Sequence, residues 1–380
     1  MKFLHASDTH IKLLKEHDSY KTVFEQIYSI AKEQKVDAIV HTGDLFHTKI
    51  QLTPEAISMA SDFLRSLADI APLYIIPGNH DTNLKNNKRL DSISPIVDAL
   101  NHKDIHYLKS SGETVINENI TLNVMSLLDQ ENWGKPSDSN KINIALLHGS
   151  VAGVQTDIGY VMEHGEFTVD IFEGHDYAMC GDIHMSNQIL DTEGRVRYAG
   201  STLQQNFGET DDKGILIWDI ESKDKFDVKH YAIPNPRPFV TLILDDSGML
   251  PETDVKLGAR IRIVADKNVT LEKVKKATEI VKARFQPDSI TFVNKAVISK
   301  ASQSEINSVG HTDNLRDIVV QERLIRDYLK DFKAEDEIIN KVLELNKKLS
   351  SAIEEGEDIN RGVRWSLKEL EWDNLFNYGS

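Results

Sequence analysis

Five short stretches of this 380-residue chain set oxygen and nitrogen donors side by side: "SDTH", "TGDLFH", "PGNHD", "LLHGS" and "CGDIH". They supply Asp8, His10, Asp44, Asn79, His80, His148, Asp182 and His184. No thiolate is involved, and a mixed carboxylate and imidazole set suits Mn, Fe or Zn over an all-oxygen Ca or Mg cage. Eight such side chains exceed one ion's needs. Two ions sharing one carboxylate fit the count, and ion pairs of that kind run in-line displacement at phosphorus. Taken singly, each fragment has a plainer meaning. A Gly-Asp after a strand is ordinarily a turn, and a lone histidine there is a satisfied polar residue. His5, His41, His102, His164, His175 and His230 are read that way. Gly174-His175 looks like a metal motif in isolation, but it precedes its apolar run instead of closing it. What overrides the plain meaning elsewhere is order and type together. D-x-H, G-D, G-N-H-D, H-G and G-D-x-H follow successive apolar runs.

Those runs are the elements that must position the donors. Residues 2–6, "VDAIVHTGD" and "PLYIIPGNHD" are short apolar segments that stop abruptly in polar, glycine-containing sequence, the pattern of buried strands with functional loops at their C-terminal ends. Helical patterns lie between them. Phe24, Ile27, Tyr28 and Ala31 share one face, and Thr53 and Pro54 open a second helix with Ala56, Ile57, Ala60, Phe63, Leu64 and Leu67 as its stripe. Alternating strands and helices predict an α/β layered domain. After about residue 115, "ITLNVMSLL", "INIALLHGS", "DYAMCGD", "RVRYAG" and "GILIWDI" read as strands of a second sheet packed on the first.

Three prolines in "YAIPNPRPF" mark a domain boundary near residue 235. Residues 236–298 read as a small α+β domain, with strands at 239–244, 260–264 and 290–293 and a helix bearing Val274, Ala277, Ile280 and Val281. A polar linker at 299–313 follows. Residues 314–355 hold a helical pair, 315–329 and 337–353, too small to bury much surface alone. Residues 356–380 form an extended tail.

Composition narrows the class. Hydrophobic residues make up 40% and charged residues 27%, enough apolar content for a full core in a globular protein. The start turns polar too soon for a signal peptide, and no apolar run reaches membrane-spanning length. One cysteine, Cys180, excludes an intrachain disulfide and suits a reducing compartment, so a cytoplasmic location is expected. A net charge of −16 argues against a generic basic nucleic-acid coat. It does not exclude a nucleic-acid enzyme, because a carboxylate-rich site lowers the count until cations load it.

Asp8-Thr9-His10, Gly43-Asp44, Gly78-Asn79-His80-Asp81, His148 and Gly181-Asp182-Ile183-His184 resemble, in order, the motifs of calcineurin-like metallophosphoesterases. The resemblance covers roughly the first half of the chain. It implies a two-sheet metallophosphoesterase sandwich with flanking helices, residues 1–235 here, and a dimetal site at the strand ends. Within that superfamily the chain is most similar to the SbcD (Mre-type) DNA-repair nucleases, through "GDLFH", "YAGSTLQQNFGE" and the capping domain that follows the core. The helical pair resembles the segment that binds their SbcC (Rad-type) ATPase. "SLKELEWDNLFNYG" resembles the opening strand of that ATPase, although the chain has no G-x-x-x-x-G-K-[ST] and so no ATP site of its own. An extra edge strand is the simpler reading of that tail.

By resemblance, one ion takes Asp8, His10, Asp44 and His184, and the other takes Asp44, Asn79, His148 and Asp182, with Asp44 bridging. His80 faces the scissile phosphate and stabilises charge or protonates the leaving oxygen. Asp81 orients the His80 ring, and His47 either matches a position near the DNA end or supports the site from behind the ligands. The family motif at 181–184 is G-H-x-H, whereas this chain has G-D-x-H. Aspartate is a harder, anionic ligand, so the preference shifts toward Mn²⁺ or Mg²⁺. The resemblance thus implies a Mn²⁺-dependent nuclease with double-strand exonuclease and single-strand endonuclease activity, acting on DNA ends and single strands with an SbcC-type ATPase partner. It also implies a homodimer formed through "EAISMASDFLRSL" and "LDSISPIVDAL", whose stripes could equally face the chain's own core. Two other readings stay open: a phosphatase or cyclic-nucleotide phosphodiesterase on the same site, and a feebly active scaffold that binds DNA ends for the ATPase.

Overall fold

The computed structural model describes residues 1–294 apart from Gln51, Asn87, Lys88, Ile158, His164 and 266–268. Beyond them it describes Glu322, Ile325, Arg326, Leu329 and one helix, Asp336–Glu355. The chain divides into two units, 1–296 and 297–380.

The first unit opens with β1 (Lys2–Ala6), α1 (His17–Gln34), β2 (Ala38–Thr42), α2 (Pro54–Ala68), β3 (Leu73–Ile76), α3 (Ser94–Leu100) and β4 (Ile105–Tyr107). The four strands pair in parallel in that order, which requires the crossovers the three helices supply. Strand alternation sorts the side chains by face. Leu4, Ala6, Ile39, Leu73 and Ile75 meet Phe24, Ile27, Ala60, Phe63 and Leu64 of the helices. Phe3, Ala38, Val40, Tyr74 and Ile76 point the other way, into the sandwich. The Thr53 hydroxyl accepts from the Ala56 N–H at 3.3 Å and starts α2. Ile57 leaves the stripe assigned to it and is 39% exposed, while Met59 is buried in its place. The apolar faces of α2 and α3, including Phe63, Leu67 and Ile96, are taken up by this chain's own core. Of the two readings of those stripes, packing against the chain's own core is the one seen.

The second sheet contains β5 (Gly112–Val115), β6 (Ile120–Met125), β7 (Ile142–His148), β8 (Tyr177–Gly181), β9 (Gln188–Ile189) and β10 (Val196–Tyr198), in the order β5-β6-β7-β8-β10-β9. Ile142, Ile144 and Leu146 of β7 face the first sheet. Ala145 and Leu147 face outward under Val151, Val154 and Phe172. "GILIWDI" does not join this sheet. As β11 (Gly214–Ile220) it returns to pair antiparallel with β1, and β12 (Phe226–Ala232) extends that edge. Ile215 and Ile217 face the helices while Leu216, Trp218 and Ile220 face the sandwich, so composition suits a central strand of either sheet and tertiary pairing decides.

A third, parallel sheet of β13 (Phe239–Leu244), β14 (Arg260–Ala265) and β15 (Ser289–Asn294) carries α4 (Leu271–Phe285). Leu242, Ile261, Ile263, Ala277, Val281 and Phe285 form its separate core. Arg260 fastens it to the region before α1 through Glu16, with Nη1 2.8 Å from Oε2. In the second unit, α5 (Asp336–Glu355) coincides with the second predicted helix. The first is described only at Glu322, Ile325, Arg326 and Leu329, and the linker 299–313 and tail 356–380 lie outside the described residues.

Candidate metal centre

Strands β1, β2, β3, β7 and β8 are neighbours in their sheets, and the five donor stretches all follow from their C-terminal ends. Asp8, His10, Asp44 and Asp182 have φ of 50°, 50°, 55° and 99°, in the left-handed region that non-glycine residues rarely occupy. The strain is held by cross-loop hydrogen bonds. Asp8 N–H donates to the Gly43 carbonyl at 3.0 Å, and His10 N–H to the Asp44 carbonyl at 2.9 Å. Gly78 is required by close approach: a Cβ there would lie 2.1 Å from Asp44 Oδ1.

The donors form two adjoining groups around Asp44. On one side, His10 Nε2 lies 3.0 Å from His184 Nε2, 3.7 Å from Asp8 Oδ1 and 3.5 Å from Asp44 Oδ2. On the other, His148 Nε2 lies 3.4 Å from Asp44 Oδ1 and 3.7 Å from Asp182 Oδ1. The Asn79 amide donates to Asp182 Oδ1 at 3.2 Å, which leaves Asn79 Oδ1 free. Each Asp44 oxygen thus serves a different group. Separations of 3.0–3.9 Å match the edges of a coordination shell with bonds of about 2.1 Å. Asp8 Oδ1, Asn79 Oδ1 and His148 Nε2 are buried with no hydrogen-bond partner. Orphaned buried atoms of this kind cost about 1–3 kcal/mol each unless something pairs with them. The residues therefore fit divalent cations.

Burial and neighbouring charges shift the proton affinity of these groups. Burial opposes charge on His148, yet the carboxylates of Asp44, Asp8 and Asp182 lift it well above the ordinary histidine range. Burial also opposes charge on Asp8 and Asp44, but the nearby His10 imidazole lowers Asp8, and the facing His148 lowers Asp44. Asp182 is raised by its burial and by Asp8 and Asp44, against the pull of His148.

His80 and His47 stand at the exposed rim, their rings 5.9 Å apart, and His80 is 4.9 Å from the His10 ring. The Asp81 assignment needs correction. His80 Nδ1 donates to the His47 carbonyl at 2.6 Å, and that contact sets the ring. The Asp81 carboxylate faces away, accepting the N–H groups of Leu45 at 3.2 Å, Phe46 at 3.1 Å and Gly78 at 3.0 Å. It knots the "TGDLFH" and "PGNHD" loops together. Its burial and the nearby Asp44 push it up to about 7, with those N–H groups pulling it down. His5 and His41, read as plain polar residues, are buried behind the site. Their Nε2 atoms pair with Thr42 and Thr9 hydroxyls at 2.9 and 2.8 Å.

Two partners of the donors escape sequence reasoning. The Thr42 carbonyl accepts from His148 Nδ1 at 2.7 Å, and Glu209 Oε1 accepts from His184 Nδ1 at 2.9 Å. A backbone acceptor leaves no mark in the sequence. Glu209 is the last residue of "YAGSTLQQNFGE", a signal that carries resemblance but no role.

Residues 1–186 match the calcineurin-like phosphoesterase family model. An uncharacterized protein of Acanthamoeba polyphaga mimivirus is 31% identical over 400 residues, covering 99% of this chain and 29% of its own length. The DNA double-strand break repair protein Mre11 of Saccharolobus solfataricus is 28% identical over 207 residues, 52% of each protein. A subunit of the nuclease SbcCD of Bacillus subtilis is 26% identical over 286 residues, 63% of this chain and 71% of that one. The chain thus spans less than a third of the viral relative and about half of the archaeal one. Every proposed metal ligand falls inside the matched residues, and the chain carries a calcineurin-like metallophosphoesterase domain.

Proposed function

We propose that this chain is a Mn²⁺-dependent DNA nuclease subunit that works with an SbcC-type ATPase. The observation that carries the chemistry is Asp44, whose two oxygens face two separate donor groups, 3.5 Å from His10 and 3.4 Å from His148. Asp8, His10, Asp44 and His184 would hold one ion, and Asp44, Asn79, His148 and Asp182 the other. When bound, such a pair supplies an activated nucleophile and neutralises charge on a phosphodiester. Mn²⁺ suits a set with one more carboxylate and one fewer imidazole than the family motif, and Mg²⁺ is the alternative.

With its ring protonated at both nitrogens, His80 would stabilise charge on the phosphate or protonate the leaving oxygen. Its Nδ1 proton is committed to the His47 carbonyl, so Nε2 is the atom left to meet a phosphate or a departing sugar oxygen. Its exposure at the rim lets a polymeric substrate reach it. His47, beside it, contacts the DNA end. The choice of DNA over a small phosphoester is supported by the relatives named for break repair and for the SbcCD nuclease. In this reading residues 236–298 cap the substrate path and 314–355 bind the ATPase. The tail 356–380 resembles the opening strand of such an ATPase.

An end-labelled duplex incubated with the protein and Mn²⁺ tests the proposal. Shortening of the duplex is expected, abolished by EDTA and reduced about 10²–10⁴-fold by His80→Asn with Mn²⁺ stoichiometry unchanged. Hydrolysis of small phosphomonoesters with the duplex left intact would overturn the DNA reading while leaving the metal site standing.

A further inference from the structure

The three histidines read as ligands differ at their far nitrogens. His148 Nδ1 donates to a neutral backbone carbonyl, that of Thr42, at 2.7 Å. His10 Nδ1 is buried without a partner. Only His184 is backed by a carboxylate, Glu209, at 2.9 Å.

That carboxylate is built into its place. The Glu209 side chain is 6% exposed. Its Oε2 accepts the Gln205 N–H and its Oε1 the Asn206 amide, both at 2.8 Å. Lys213 is fully buried beside it. The ammonium lies 3.5 Å from Glu209 Oε2, donates to the His184 carbonyl at 2.8 Å, and meets both Asp157 oxygens at 3.0 Å. One buried cation therefore grips both the backbone of the histidine and the carboxylate that faces its ring. Gln204 anchors the same loop from the far side, donating to the Glu209 carbonyl at 2.8 Å and to the Phe239 carbonyl of β13 at 3.1 Å.

We propose that Glu209 is a positioning residue for the ion held by His184: it keeps the ring proton on Nδ1 and the Nε2 lone pair turned toward Asp8 and His10, with Lys213 holding Glu209 in that pose. The inference rests on reading Asp8, His10, Asp44 and His184 as ligands of one ion. A carboxylate behind an imidazole fixes its rotation and strengthens it as a donor. The two ions are then unequal by construction, because the His148 side has only a carbonyl behind its ring.

The test compares wild type, Glu209→Gln and Glu209→Ala by Mn²⁺ calorimetry and by the visible spectrum of the Co²⁺-loaded protein. Thermal unfolding without metal checks that each variant folds. Glu209→Ala is expected to weaken one ion by about 10–100-fold, to leave the other within about threefold, and to shift the Co²⁺ bands. Glu209→Gln keeps an acceptor oxygen but loses the charge, and is expected in between, about three- to tenfold weaker with a smaller band shift. Two ions at wild-type affinity with unchanged bands in both variants overturn the proposal. Should Glu209→Ala not fold, Glu209→Gln decides it alone, and affinity and bands identical to wild type overturn it. A wild type that binds no ion overturns the ligand reading itself.

Discussion

Asp182 faces a crowded carboxylate neighbourhood, with its Oδ1 3.7 Å from His148 Nε2 and its N–H on Asp8 Oδ2 at 3.1 Å. Its carboxyl is raised by burial and by Asp8 and Asp44, against the pull of His148, so a cation beside it favours its ionised form. Asp182→Ala is expected to cost one bound ion, read as a fall in Mn²⁺ stoichiometry from two to one. Asp182→His restores an imidazole and is expected to keep two ions while shifting preference toward Zn²⁺. Unchanged stoichiometry in the alanine variant would return Asp182 to being a turn residue. Asp81 makes the complementary case. Its three backbone bonds need two acceptor oxygens, and an asparagine would turn an NH₂ toward a backbone N–H. Asp81→Asn is expected to lower unfolding stability by about 2 kcal/mol, measured in urea. A role confined to orienting His80 would leave stability intact. The donors were legible at this scale because residue type and order survive in sequence. Which way Asp81 points was not, because that depends on three amides from two other loops.

At the scale of elements, the centre exists because parallel strands from both sheets end side by side and glycine lets their loops touch. Gly78→Ala would place a Cβ 2.1 Å from Asp44 Oδ1 and 2.4 Å from Asp44 N. Backbone cannot yield there as a flexible side chain could, so Asp44 must move and both donor groups lose it. The expected outcome is loss of Mn²⁺ binding by calorimetry, with about 1–3 kcal/mol lost from unfolding stability. Binding of two ions at wild-type strength would show that Asp44 has room the packing denies. The strands that carry ligands announced themselves, since each is an apolar run cut off by polar residues. β4, β5, β9 and β12 did not, being short or edge strands with mixed faces, as the partly exposed β12 shows. β11 was visible as a strand but not as a member of the first sheet, because its two apolar faces fit either sheet and only the pairing with β1 decides. Ile57 shows the same limit on α2, where one position of rotation separates a buried stripe from solvent.

For the whole molecule, a centre whose carboxylates raise two of its imidazoles makes metal loading depend on pH. His148 and His184 both sit above the ordinary histidine value, each against the opposition of burial, His184 through Glu209 and Asp8. Both shifts favour a ring proton that an ion has to displace, so binding is expected to release protons and to tighten as pH rises. Calorimetry in two buffers of different ionisation enthalpy is expected to show net proton release at pH 7, with affinity falling as pH drops toward 6. Affinity independent of pH over that range would mean the histidines are already neutral. Metal at about 100 times its dissociation constant is expected to stabilise the fold by about 2.7 kcal/mol. Among the described residues no helix is long and apolar enough to cross a membrane. The most direct test of the two-ion centre is an anomalous difference map from a crystal soaked in Mn²⁺. Two peaks about 3.5–4 Å apart are expected, one on each oxygen of Asp44, with His184 on the first and Asp182 on the second. A single peak, or two peaks with Asp44 between neither of them, would contradict it.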